Sequence, residues 1–190
     1  RERLVSMIQQ ELSDAEMAQT ERLLQALSLL GPDQSYLQMS LDLLESQVAG
    51  FYDDREQVFY VLDDAPAMFQ APLMAHELHH ALQDQRWGIR AVRGRTDHLT
   101  DASLTRTSLF EGDAMAVTIV YMTGGQMELT EVPMARQMIQ SMISQRPEGV
   151  SDDMPDMIWK PLVFPYVGGL DLVMEVYGTG GWSAVNAIYD

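Results

Sequence analysis

Apolar residues recur at helical spacing along most of the chain, and one short stretch breaks that rhythm. Leu4, Met7, Ile8 and Leu12, followed by Met17, Leu23, Leu24 and Leu27, predict two helices or one bent helix over 2–30. Ser13 with Glu16 forms a capping-box pattern, and Gly31-Pro32 is a stop signal. Leu37, Leu41 and Leu44 predict another helix over 35–47. Residues 50–61 then read as two β-prone runs around the polar turn Asp53-Asp54-Arg55-Glu56, a hairpin signal. Helical patterning returns over 67–86, with Gly88 as its end, and again over 101–122 after an irregular polar stretch at 89–100. Residues 114–121 are apolar all round, so this part of the helix should be buried. After Gly124-Gly125 come a methionine-rich amphipathic helix at 132–144, a loop at 145–158, and a helix near 167–177. A Gly-Thr-Gly-Gly turn then leads into the start of a last helix at 182–189. The fold class expected is α+β, mainly α, with a small hairpin or sheet beside the 67–86 helix.

Length changes little in this picture: 190 residues fit one domain, read as a helical part at 1–47 and a core at 48–190. Charge changes more. A formal net charge of −16 argues against nucleic acid or an anionic membrane surface as partner, since both select basic faces. The absence of cysteine removes disulfides, thiolate metal sites and cysteine nucleophiles together. The uncharged run 114–127 is too short to span a bilayer. The chain starts at Arg1 without a methionine, so a missing targeting segment says nothing about location.

The chemistry gathers in His76-Glu77-Leu78-His79-His80. With about 100° per residue on a helix, His76 and His80 stand one turn apart on one face, and Glu77 falls on the same side. Met74, Ala75, Leu78, Ala81 and Leu82 gather opposite, so the expectation is a core-facing apolar back and a chemical front. The HExxH pattern supplies two metal-binding imidazoles and a carboxylate that reaches a water without ligating the ion. Three of the four histidines lie within these five residues, which a plain surface helix leaves unexplained. Asp84, four residues past His80, reads either as a carboxylate orienting an imidazole or as a solvated side chain.

A catalytic zinc site takes three protein ligands, so a third is needed. In the metzincin pattern it would be a histidine at the position of Arg86, with a glycine at that of Gln83, so that subclass is excluded. Glu111 is the first choice. It enters a helix expected to be buried, where an unpaired charge is very costly, and Gly112 beside it suggests close approach by another group. His98, Asp113 and Asp171 are competitors. A di-iron reading of Glu77-x-x-His80 fails because it needs a second such element, and His98 has Arg95 three residues before it.

HELHHALQDQ, LFEGDAMAV and FPYVGGLDLVMEVYGTGGWSAVNAIY together resemble a family of bacterial gluzincin-like proteins. These carry HELxHALQDQ, an EGxA helix and a PYxxG…GGW…Y segment. The likeness runs from Gly50 almost to Asp190. It implies a zincin-like fold, one zinc ion on His76, His80 and Glu111, Glu77 as catalytic base, and a place in the cell envelope or outside the cell. Two positions depart from the pattern. His79 stands where an uncharged residue is usual, and Met115 stands where thermolysin-type enzymes carry an aspartate.

The function expected is hydrolysis of peptide bonds in a peptide or protein substrate. Glu77 takes the proton of a zinc-activated water and passes it to the leaving amine. Tyr166 is the candidate donor to the oxyanion, with Tyr177 and Arg86 behind it. A hairpin edge at 50–61 could hold substrate as an added strand. The alternative is a zinc-binding scaffold or interaction domain without catalysis.

Overall fold

A computed structural model of the chain describes residues 13–47, 50–61, 67–93, 101–125 and 154–190, with the isolated positions 129, 137, 141, 145 and 146. The chain divides into two compact units, one made of Arg1–Val48 with Arg146–Leu162 and the other of Ala49–Gln145 with Val163–Asp190.

In the first unit, Ser13 caps α1 (Asp14–Ala26). Its hydroxyl accepts the Glu16 N–H at 3.3 Å and the Glu16 carboxylate accepts the Ser13 N–H at 2.8 Å, which is the reciprocal box expected. α2 (Tyr36–Gln47) follows, and the Glu21 carboxylate of α1 accepts its first N–H at 2.8 Å. Met17, Leu24, Leu30, Leu41 and Leu43 are buried. The predicted helical stretch before Ser13 lies outside the described residues, and so does most of the predicted helix at 132–144.

The second unit opens with the hairpin. β1 (Gly50–Asp53) and β2 (Val58–Val61) pair antiparallel with Phe51 opposite Tyr60 and Tyr52 opposite Phe59. The buried Asp53 carboxylate accepts the N–H groups of Arg55 and Glu56, which folds the turn locally. α3 (Ala67–Trp87) carries the histidines and ends at Gly88, whose φ of 71° reverses the chain. A short α4 (Ile89–Arg93) occupies part of the stretch expected to be irregular. α5 (Asp101–Met122) packs along α3. The protein is thus mainly helical with a small antiparallel sheet. No described helix is long and apolar enough to cross a membrane.

α6 (Asp156–Asn186) begins eleven residues earlier than the predicted start at 167 and carries Pro161 and Pro165 inside it. Proline is a stop signal in a sequence because it removes an N–H and crowds the preceding turn. Here Ile158, Trp159, Leu170 and Val173 are buried along the same helix, and packing outweighs local propensity. The break falls at Gly180 and Gly181, within the predicted glycine turn. A β-carbon built on Gly112 of α5 would lie 2.0 Å from the carbonyl carbon of Gly169 on α6. The close approach suggested by Gly112 is therefore a backbone-to-backbone helix crossing. Around it lie Leu109, Phe110, Ala116, Ile119, Leu170 and Val173, the centre of the core.

Candidate metal centre

The front of α3 faces inward. His76, Glu77, His80 and Gln83 are all at most 8 % exposed, whereas Met74, Leu78 and Leu82 are 44, 51 and 59 % exposed. This reverses the expected orientation, in which the apolar back faced the core. Buried polar groups are tolerated only when partnered, and α5 brings the partners. Glu111, 9 % exposed, sets its Oε2 3.2 Å from His76 Nε2 and 3.3 Å from His80 Nε2, and the two Nε2 atoms are 3.2 Å apart. The helical i, i+4 spacing also turns the rings edge to face, with centroids 4.8 Å apart.

Three corners of a tetrahedron whose ligands sit about 2.0 Å from its centre are about 3.3 Å apart, the spacing of two imidazole nitrogens and one oxygen around zinc. The observed triangle matches that spacing, and His76, His80 and Glu111 are positioned to hold a metal ion.

Hydrogen-bond direction supports the same fit. The Gln83 amide nitrogen donates to the Phe110 carbonyl at 3.1 Å, and a carbonyl can only accept. The amide oxygen therefore faces His80 Nδ1, 2.8 Å away, and Nδ1 must carry the proton. A neutral His80 then presents a bare lone pair to the Glu111 carboxylate. Two acceptors at 3.3 Å need a proton or a cation between them.

The electrostatics are those of a tightly coupled buried cluster. Burial alone would lower the pKa of His80, but the charge and hydrogen bond of Glu111, with help from Glu77 and Gln83, push it up to about 9. For Glu111, burial opposes ionisation and is outweighed by His80 and His76, which hold the carboxyl well below its usual range. Glu77 goes the other way. Burial raises it, with Glu111 adding to the rise, while His80, His76 and the Tyr52 N–H only partly offset it. Its Oε2 accepts that N–H at 2.8 Å from β1. Because the Tyr52 N–H points at α3 rather than at β2, its carbonyl also lies on the edge of β1 turned away from β2.

Of the other candidates, the Tyr166 ring lies beside that of His76, with centroids 6.1 Å apart and planes 26° from parallel. Tyr177 packs edge-on against Trp182, and the Arg86 guanidinium lies over Trp87. Asp113 is not in the triangle. Its Oδ2 contacts His79 Nε2 at 2.9 Å and accepts from the Gln83 amide and the Tyr189 hydroxyl, each at 2.9 Å. Among the described residues, Asp171 is also outside any ligand cluster. His98 lies outside the described residues.

Asp84 serves neither of the roles expected of it. One oxygen accepts the Tyr52 hydroxyl at 3.0 Å and the other the Ile89 N–H at 3.0 Å, so it ties β1 to the start of α4. The residue that holds the second ring nitrogen of His80 is Gln83, which the sequence reading treated only as a mismatch to a glycine. Its position three residues after His80 was the available signal, since i and i+3 share a helix face. Tyr189, 106 residues from Gln83, gave no such signal. Compared with protein-family models, curated proteins and solved structures, the chain has no match.

Proposed function

We propose that the protein is a zinc-dependent metallopeptidase of gluzincin type, with a zincin-like fold and peptides or proteins as substrates. One observation carries the reading. Two imidazole nitrogens and one carboxylate oxygen form a triangle of tetrahedral edge length, and a fourth side chain, Glu77, stands beside the triangle without belonging to it.

His76, His80 and Glu111 would hold the ion. Zinc bound there supplies a Lewis acid that polarises a carbonyl and acidifies water. Glu77 accepts a proton from the attacking water and later donates it to the leaving amine as the C–N bond breaks. Its upward shift suits this exchange, because burial makes the carboxylate a stronger base toward the water. The Tyr52 N–H holds one carboxylate oxygen, and the other would take the proton of the reacting water. An extended substrate would lie along the edge of β1 that carries the Tyr52 carbonyl. Tyr166, beside His76, is the candidate donor to the developing oxyanion.

The test is Glu77→Gln. Zinc content should be unchanged, while cleavage of a peptide library should fall by about 10²-fold or more. Zinc bound equally by both proteins with no cleavage by either would favour the alternative, a zinc-binding scaffold without catalysis.

A further inference from the structure

The polar side chains behind the triangle form a closed set with a direction. His80 donates from Nδ1 to the Gln83 amide oxygen at 2.8 Å. The Gln83 amide nitrogen meets three acceptors: the Phe110 carbonyl at 3.1 Å, Asp113 Oδ2 at 2.9 Å and the Tyr189 hydroxyl at 3.0 Å. Tyr189 in turn donates to Asp113 Oδ2 at 2.9 Å, and His79 holds the same oxygen at 2.9 Å. Gln83 is fully buried and Asp113 is 2 % exposed, so neither can turn to water. If the Gln83 amide were reversed, its oxygen would face the Phe110 carbonyl and the Asp113 carboxylate. Both are acceptors, so the reversed amide is excluded.

We infer that Gln83 is the positioning residue of the metal centre. Its amide oxygen fixes the Nδ1–H form of His80 and the angle of the ring. Nε2 then points at His76 and Glu111 before any ion arrives, and gives up its proton when one binds. Asp113, His79 and Tyr189 act through Gln83 by locking its orientation. The unusual His79 has a role in this arrangement, as it satisfies one lone pair of a buried aspartate that serves three donors. The inference rests on the metal-binding part of the proposed function and not on peptidase activity.

The experiment measures zinc affinity of the full chain by competition with a chromogenic chelator. It compares the wild type, Gln83→Met, and the pair Gln83→Glu with Asp113→Asn. Methionine fills the volume but accepts nothing from Nδ1, so affinity should fall by about 10–100-fold, as for other groups that hold a ligating histidine. In the pair, the carboxyl at position 83 accepts from Nδ1 with one oxygen and, protonated on the other, donates to the Phe110 carbonyl, so most of the loss should be recovered. Wild-type affinity in Gln83→Met would overturn the inference, as would a pair that binds zinc as weakly as Gln83→Met. Nitrogen-edited NMR of the wild type settles the point even if a variant fails to fold. The His80 Nδ1–H resonance should exchange slowly and contact the Gln83 side chain, with and without zinc. Fast exchange would overturn the inference. A wild type that takes up no zinc yet keeps the protected Nδ1–H would count against the metal site alone.

Discussion

Gly112 and Gly169 meet so closely that neither has room for a methyl group: a β-carbon on Gly169 would lie 2.0 Å from the Ser108 carbonyl oxygen. This crossing joins the helix that carries Glu111 to the helix that carries Tyr166, one turn before Gly169. Gly112→Ala should therefore lower stability by about 3 kcal/mol, the upper end of overpacking costs, and should weaken metal binding with it. Gly178→Ala is the control. Its β-carbon meets nothing, and within a helix the change should be neutral or stabilising by up to about 1 kcal/mol. Thermal unfolding of the two variants checks both values.

The outward face of α3 gives a sharp contrast between the two orientations of that helix. Leu78 is 51 % exposed, so Leu78→Gln should change stability by no more than about 0.5 kcal/mol. Had the apolar back faced the core, burying an unpartnered amide there would cost about 2 kcal/mol or more. Denaturant unfolding distinguishes the two.

Asp84 joins β1 to α4 and touches no metal ligand. Asp84→Ala should cost about 1–2 kcal/mol through the lost Tyr52 and Ile89 bonds. Zinc affinity measured on the same protein should stay at the wild-type level. A tenfold fall would return Asp84 to the role of orienting an imidazole.

Metal-free protein should have a pH profile set by the buried cluster. His80 is raised from 6.5 to about 9, so its stabilisation is complete below 6.5 and fades as pH rises through about 9. Glu111 is lowered from 4.5, so its contribution is complete above 4.5 and is lost on strong acidification. Stability in the presence of chelator should be greatest where both are charged and should decline above neutrality. With zinc the trend near neutrality reverses, because ligands must shed protons to bind the ion. Melting temperatures across pH, with chelator and with zinc, should diverge in that sense, and identical profiles would count against the site.

The parts legible in the sequence are those set by short spacings. His76, Glu77 and His80 share a helix face by arithmetic, Ser13 and Glu16 make their box within one turn, and the 50–61 hairpin announces its polar turn. Glu111 was legible as a carboxylate in an apolar helix, which needs a partner, whereas Gly112 beside it reports the crossing with Gly169. What the pattern could not carry was direction. Hydrophobic periodicity assumes that apolar side chains point inward, and α3 inverts this because α5 and the Tyr52 N–H of β1 partner the buried polar groups on its front. The Gln83–Tyr189 contact spans 106 residues and depends on how helices cross, so no local pattern encodes it. α6 hid its beginning behind two prolines, whose local cost is offset by burial visible only in the fold.

The central claim is that His76, His80 and Glu111 hold one metal ion, and elemental analysis tests it most directly. Wild type and Glu111→Ala would be purified without chelator and assayed by mass spectrometry. The account predicts about one zinc per wild-type chain, as a three-ligand site implies, and little or none in Glu111→Ala. Full zinc in the variant would move the third ligand away from Glu111, and no metal in either protein would contradict the account.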